Sequence, residues 1–199
     1  MVRISATLAL PAFLLFAGSA FAHSESGVTG GLVSGLLHPV LGFDHLVAMV
    51  AVGLWGAQLE KPAIWLLPIT FPMVMAVGAL VGLAGLPMPG VEYGIAASAI
   101  VLGAAVASNF KPPLALAAIV VAAFGVFHGH AHGSEIPQAA NPLAYGVGFV
   151  LSTGLLHLSG ILVGLLLKWP WGSFVVRACG VAVAGVGAIA LATTTGFLA

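Results

Sequence analysis

Six apolar runs take up almost all of the sequence between Phe43 and Phe197, each bounded by proline, glycine or one of the few charges. They cover residues 43–59, 63–85, 91–109, 113–130, 142–167 and 172–197. Each run is near the ~20 residues that carry a helix across a hydrocarbon core of about 30 Å. The expected fold is therefore all-α, a polytopic transmembrane helix bundle of about six spans. Composition agrees: 61% of residues are hydrophobic and 5% charged, where an ordinary soluble domain carries roughly 25% charge. Five Lys and Arg balance five Asp and Glu, which leaves neither a basic surface for nucleic acid nor an acidic arm for protein partners. A single cysteine, Cys179, excludes an intrachain disulfide and any Cys-rich metal cluster. It reads as a small apolar packing residue.

The first residues follow the plan of a secretory signal. Arg3 supplies the charged start, an apolar stretch runs from about Leu8 to Phe16, and Ala20-Phe21-Ala22 forms a cleavage motif. Residues 1–22 are thus expected to be a cleavable signal peptide and residues 23–199 a single transmembrane transport domain. The polar stretch from His23 to Gly27 reads as a flexible lead-in to the first span. Cleavage would put the mature N-terminus outside the cytoplasm. Charge gives an independent orientation, because Lys and Arg favour cytoplasmic loops: Lys61, Lys111, Lys168 and Arg177 all fall on one side of the expected topology. The two orientations agree. They describe a multi-pass membrane protein with its mature N-terminus and its histidine-bearing ends outside the cytoplasm.

Glycine is abundant, with 27 residues, and the spacings Gly78/Gly82 and Gly180/Ala184/Ala188 fit close helix approach. Pro68 and Pro72 read as kinks inside the second span.

Against this background the ionisable residues stand out. His38, Asp44 and His45 precede the first uninterrupted apolar run. A carboxylate within a span costs about 2.5 to 3.5 kcal/mol, so intramembrane ionisable groups are functional candidates by default. Pro39 is expected to end any helix before it and Gly42 to bend the chain, giving a broken segment that lines a cavity. Asp44 is also explicable as a first-turn carboxylate favoured by the helix dipole, but that leaves the two imidazoles unexplained. Imidazole with carboxylate is a typical ligand set for Ni, Co, Zn or Fe ions.

A second cluster, from Phe127 to Glu135, closes the fourth span. His128 and His132 are one helical turn apart and share a face if the helix continues, with Glu135 three residues further on and His130 pointing elsewhere. Gly129 and Gly133 would instead break the helix and leave a solvated loop. His157 lies mid-span among Ser152, Thr153 and Ser159, either as an interhelical hydrogen-bonding residue or as a deeper step of an ion path. His23 would offer an amino group and an imidazole after cleavage. Glu92, at the start of the third span, reads as a helix-dipole partner.

Together the HPxxGxDH motif at His38, Pro39, Gly42, Asp44 and His45 and the motif at His128, His130, His132 and Glu135 resemble the HupE/UreJ family of bacterial membrane proteins, associated with nickel hydrogenase and urease gene clusters. The resemblance spans essentially the whole chain. It implies a nickel permease, a secondary transporter or facilitator with cobalt as the alternative cargo, that supplies nickel metalloenzyme maturation indirectly. It carries the metal site to His38, Asp44, His45, His128 and His132; His130, Glu135, His157 and His23 are secondary candidates from the residues themselves.

The mechanism expected of such residues is capture, partial dehydration and passage of a divalent cation, with no permanently bound cofactor and no catalysis. No GxxxxGK[ST] motif is present, so the driving force is the ion gradient, trapping downstream, or a membrane potential that contributes about 4.6 kcal/mol per 100 mV to a divalent cation. Two other classes fit the same ligands. One is an intramembrane metal-dependent hydrolase, which would hold its metal permanently; the other is a haem-binding electron carrier, which would show a haem spectrum.

Overall fold

In the computed structural model, which describes residues 27–136 and 141–198, those residues are helical throughout apart from short turns and contain no strand. The order is α1 (Gly27–Leu41), α2 (Phe43–Leu59), α3 (Ala63–Leu83), α4 (Val91–Ser108), α5 (Leu114–Ser134), α6 (Pro142–Gly164), a 3-10 turn (Leu165–Lys168) and α7 (Gly172–Thr194). Helices α3 to α7 are each long and apolar enough to cross a membrane. Helices α1 and α2 together are long and apolar enough for a sixth span, and they meet at 81°. The expected signal peptide, its cleavage motif and His23 lie outside the described residues.

Two details of this first span differ from expectation. Residues 27–41, ahead of the first expected apolar run, form a 15-residue helix, α1; all of the expected lead-in but Gly27 lies outside the described residues. Pro39 lies inside it, and the break comes at Gly42, whose extended backbone starts α2. Proline lacks only its own N–H, so the helix can continue past it within the last turn; the carbonyl of His38 accepts from Gly42 N–H at 3.3 Å. Contacts run in order along α6. Gly31 and Gly35 of α1 lie against Asn141 and Tyr145, and Gly53 of α2 lies against His157. The two pieces thus follow α6 in the same direction, as one broken span.

Helix α2 forms the centre of the bundle. Every residue from Ala51 to Gln58 is buried, so that stretch of α2 has no face left for lipid. By contrast, α3 exposes Trp65, Ile69, Met73, Val77 and Leu80, spaced by three or four residues as a single lipid-facing stripe.

Glycine seams hold the outer helices in register. Gly125, Gly129 and Gly133 of α5 lie on the α3 backbone around Phe71, Met75 and Ala79, while Gly78 and Gly82 of α3 lie on Val126 and His130. A side chain at these places would force the backbones apart. Gly129 and Gly133 therefore do not break α5, which runs through to Ser134. A second seam joins Gly103 of α4 to Gly180 and Ala184 of α7, and Cys179 packs at the edge of the core.

Lys61, Lys111 and Lys168 follow α2, α4 and the turn after α6, so they share one end of the bundle. Arg177 joins them, its Nε donating to the Ala107 carbonyl at 2.7 Å. The clustered histidines occupy the other end.

Candidate metal centre

The break at Gly42 places His38 in the last turn of α1 and Asp44 and His45 in the first turn of α2. Continuation of α5 through its glycines puts His128 and His132 on one face, turned toward that break. His45 and His132 have ring centroids 4.5 Å apart, and His45 and His128 are separated by 4.9 Å. Ring nitrogens of His45, His128 and His132 lie within 4.8 Å of one another. A second group, His38, His132 and Glu135, meets the same limit. His132 belongs to both.

Hydrogen bonds define which nitrogens are free. Ser98 Oγ donates to the Ile95 carbonyl at 2.6 Å and lies 2.8 Å from His128 Nε2. Its proton being committed, Ser98 accepts from His128 Nε2–H, which leaves the lone pair on Nδ1. Asp44 Oδ1 lies 2.8 Å from His45 Nδ1 and also accepts from the His45 backbone N–H at 2.9 Å. The His45 lone pair is thereby on Nε2. His45 Nε2, His128 Nδ1 and both ring nitrogens of His132 are buried without a hydrogen-bond partner among the described residues. Buried polar atoms are normally paired, and a convergent set of open imidazole nitrogens suits a partner of opposite character, a cation.

Asp44 supports this triad from behind. It is not among the converging atoms but fixes the tautomer and orientation of His45, as carboxylates commonly do for metal-binding histidines. The outer group is different in kind. His38 Nε2 is 3.1 Å from Glu135 Oε2, and both side chains are partly exposed. The neighbouring His38 holds the Glu135 carboxyl below the usual carboxylate range, so the outer group keeps a negative charge. The outer group is open to solvent; in the triad His128 and His132 are buried.

The other candidates are dispersed. His130 turns away and donates Nε2–H to the Leu86 carbonyl at 2.8 Å, which ties α5 to the turn after α3. Glu92 is exposed in the first turn of α4. His157 lies below the triad, with the Phe71 ring between: Phe71 is 5.3 Å from His128 and 5.6 Å from His157, edge-on to both. A cleft of about 560 Å³ opens sideways between α3 and α6, with His132, Tyr145 and Phe149 on an otherwise apolar wall. Its lining suits lipid and not a hydrated ion.

Ser98, Phe71 and Phe149 escaped the sequence reading. Phe149 packs against His132 with ring centroids 4.2 Å apart and the rings tilted, yet each of the three is one ordinary residue in an apolar helix. Only the pairing of helices reveals its role.

Residues 11–190 match the family model described as HupE / UreJ protein. The chain belongs to the HupE/UreJ family. It is also 42% identical over 187 residues, 94% of each chain, to Protein HupE of Rhizobium leguminosarum bv. viciae. No solved structure matches the chain. In this HupE/UreJ chain the two sequence motifs, more than 80 residues apart, are thus the two walls of one cluster of side chains.

Proposed function

We propose that the protein is a permease for a divalent transition-metal ion, nickel with cobalt as the alternative, residing in a bacterial inner membrane with its histidine end toward the periplasm. The observation that carries this reading is the convergence of three unpartnered imidazole nitrogens, from His45, His128 and His132, inside an apolar helical bundle. Membership of the HupE/UreJ family supports it, as does the gathering of Lys61, Lys111, Lys168 and Arg177 at the opposite, cytoplasmic end.

The hydrated cation meets His38 and Glu135 first. The carboxylate attracts it while exposure lets it keep most of its water. Transfer to His45 and His128 replaces waters by imidazoles, and His132 serves both groups, so the ion exchanges ligands without leaving the protein. Neutral imidazoles suit nickel and cobalt, and a site without a carboxylate in contact avoids the tight binding that would prevent release. The metal is cargo and no cofactor stays bound; its onward fate is supply of nickel metalloenzyme maturation.

Radioactive nickel and cobalt uptake by cells expressing the chain tests the proposal. Accumulation above empty cells is expected under metal limitation, and Asp44→Ala and His45→Ala should both reduce it at unchanged protein level in the membrane. Uptake equal to that of empty cells, with the wild-type protein present, would refute it. Stoichiometric zinc retained through purification would point instead to a resident-metal hydrolase.

A further inference from the structure

Beneath the triad the bundle contains a second set of open polar atoms. His157 is 1% exposed, and neither ring nitrogen has a hydrogen-bond partner among the described residues. Thr153 is fully buried one turn earlier on α6, and its Oγ1 is also unpartnered. Residues four apart share a helix face, and the opposite face of α6 carries the exposed Leu151, Leu155, Leu158 and Leu162. Thr153 and His157 therefore both point into the protein.

A third donor comes from a backbone. Pro72 sits inside α3 and has no N–H to give to the carbonyl four residues earlier. That carbonyl belongs to Pro68, one turn before Phe71, whose ring packs against His157. Pro72 thus frees an oxygen on the stretch of α3 that packs where α6 offers an imidazole and a hydroxyl. In membrane proteins, unwound or freed carbonyls are tolerated where they line a cavity and are used to coordinate cations.

We infer that Thr153, His157 and the Pro68 carbonyl form an inner station for the permeating divalent cation, reached from the triad past the Phe71 ring. The inference rests on the permease reading and adds a second stop to it. One imidazole with two neutral oxygens binds a borderline cation more weakly than three imidazoles. Weaker, separate sites are what conduction requires, since an ion must be able to leave each of them. The Phe71 ring touches both His128 and His157 and so links the two stops. Gly53 of α2 lies directly on the His157 backbone carbonyl, which holds the station against the central helix.

The test uses the full chain in vesicles of phosphatidylethanolamine and phosphatidylglycerol, with Ni²⁺ outside and a metal-quenched dye inside. A parallel reading of the Co²⁺ visible spectrum in detergent reports the triad itself. His157→Leu is expected to slow Ni²⁺ flux about tenfold or more, the scale of losing one metal partner, with the Co²⁺ spectrum unchanged. Thr153→Val, which keeps shape, and Pro72→Ala, which restores an N–H for the Pro68 carbonyl, should slow it severalfold in the same way. Wild-type flux in both His157→Leu and Thr153→Val would overturn the station. So would joint loss of flux and Co²⁺ spectrum in these variants at normal protein level, which would mark the positions as structural. Absence of flux in the wild type would overturn the permease reading, and the station with it.

Discussion

The two ends of α2 treat buried polar atoms in opposite ways. At the end near Glu60, Trp55 Nε1 donates to the Phe110 carbonyl and Gln58 Nε2 to the Val106 carbonyl, both at 3.0 Å. Arg177 reaches Ala107 from α7. These donors cap carbonyls at and just beyond the end of α4, and among the described residues Gln58 Oε1 is the one buried side-chain atom there without a partner. At the other end His45 meets His128 and His132, and the nitrogens facing one another stay open. Two histidines there have their second nitrogen carefully engaged, by Asp44 and by Ser98. The contrast separates polar groups that hold the fold from polar groups held ready by it.

The contrast can be broken most severely at His132, which serves both groups. His132→Ala should bring nickel uptake down to that of empty cells, while immunoblots show the protein still in the membrane. Uptake near wild type would mean that the two groups do not act together. Next come the supporting residues. Asp44→Asn and Ser98→Ala leave every converging nitrogen in place and disturb only its tautomer, so uptake should fall by about 10 to 100-fold, the usual range for such partners. A proton titration gives a smaller effect. Metal needs neutral imidazole, so acid that protonates the ring nitrogens should lower uptake severalfold. The neighbouring His38 holds the Glu135 carboxyl below the usual carboxylate range, so it stays ionised until the pH falls below that range, and an uptake loss setting in only there would shift the limiting group to Glu135. The mildest change is expected at the opposite end. Gln58→Leu removes one hydrogen bond and should lower stability by about 1 kcal/mol, measured by thermal aggregation in detergent, with uptake per folded molecule unchanged.

Much of this was legible in the sequence because a membrane permits so few folds. Prolines, glycines and isolated charges marked the ends of α3 to α7 to within a few residues, and the spacing of His128 and His132 already separated them from His130. Helix α1 was not legible: its residues are apolar but rich in glycine and too few to span, and Pro39 read as a stop. The glycines at 31 and 35 carried the missing signal, since their four-residue spacing is a packing face. Asp44 stands out in the sequence as a candidate ligand, but whether it touches a metal or a neighbouring ring depends on rotamers that spacing does not fix. Ser98 was invisible for a different reason. A serine in an apolar helix gains meaning only from the helix it faces, and the pairing of α4 with α5 is a property of the whole bundle.

His132, common to the outer and inner groups, sets a counting rule. A neutral imidazole has one lone pair and can belong to one ion at a time, so the two groups cannot both be complete. The histidine end then works as a turnstile: the next ion waits until the last has moved on. Uptake measured against nickel concentration should trace a single hyperbola, without the acceleration that a queue of mutually repelling ions would produce.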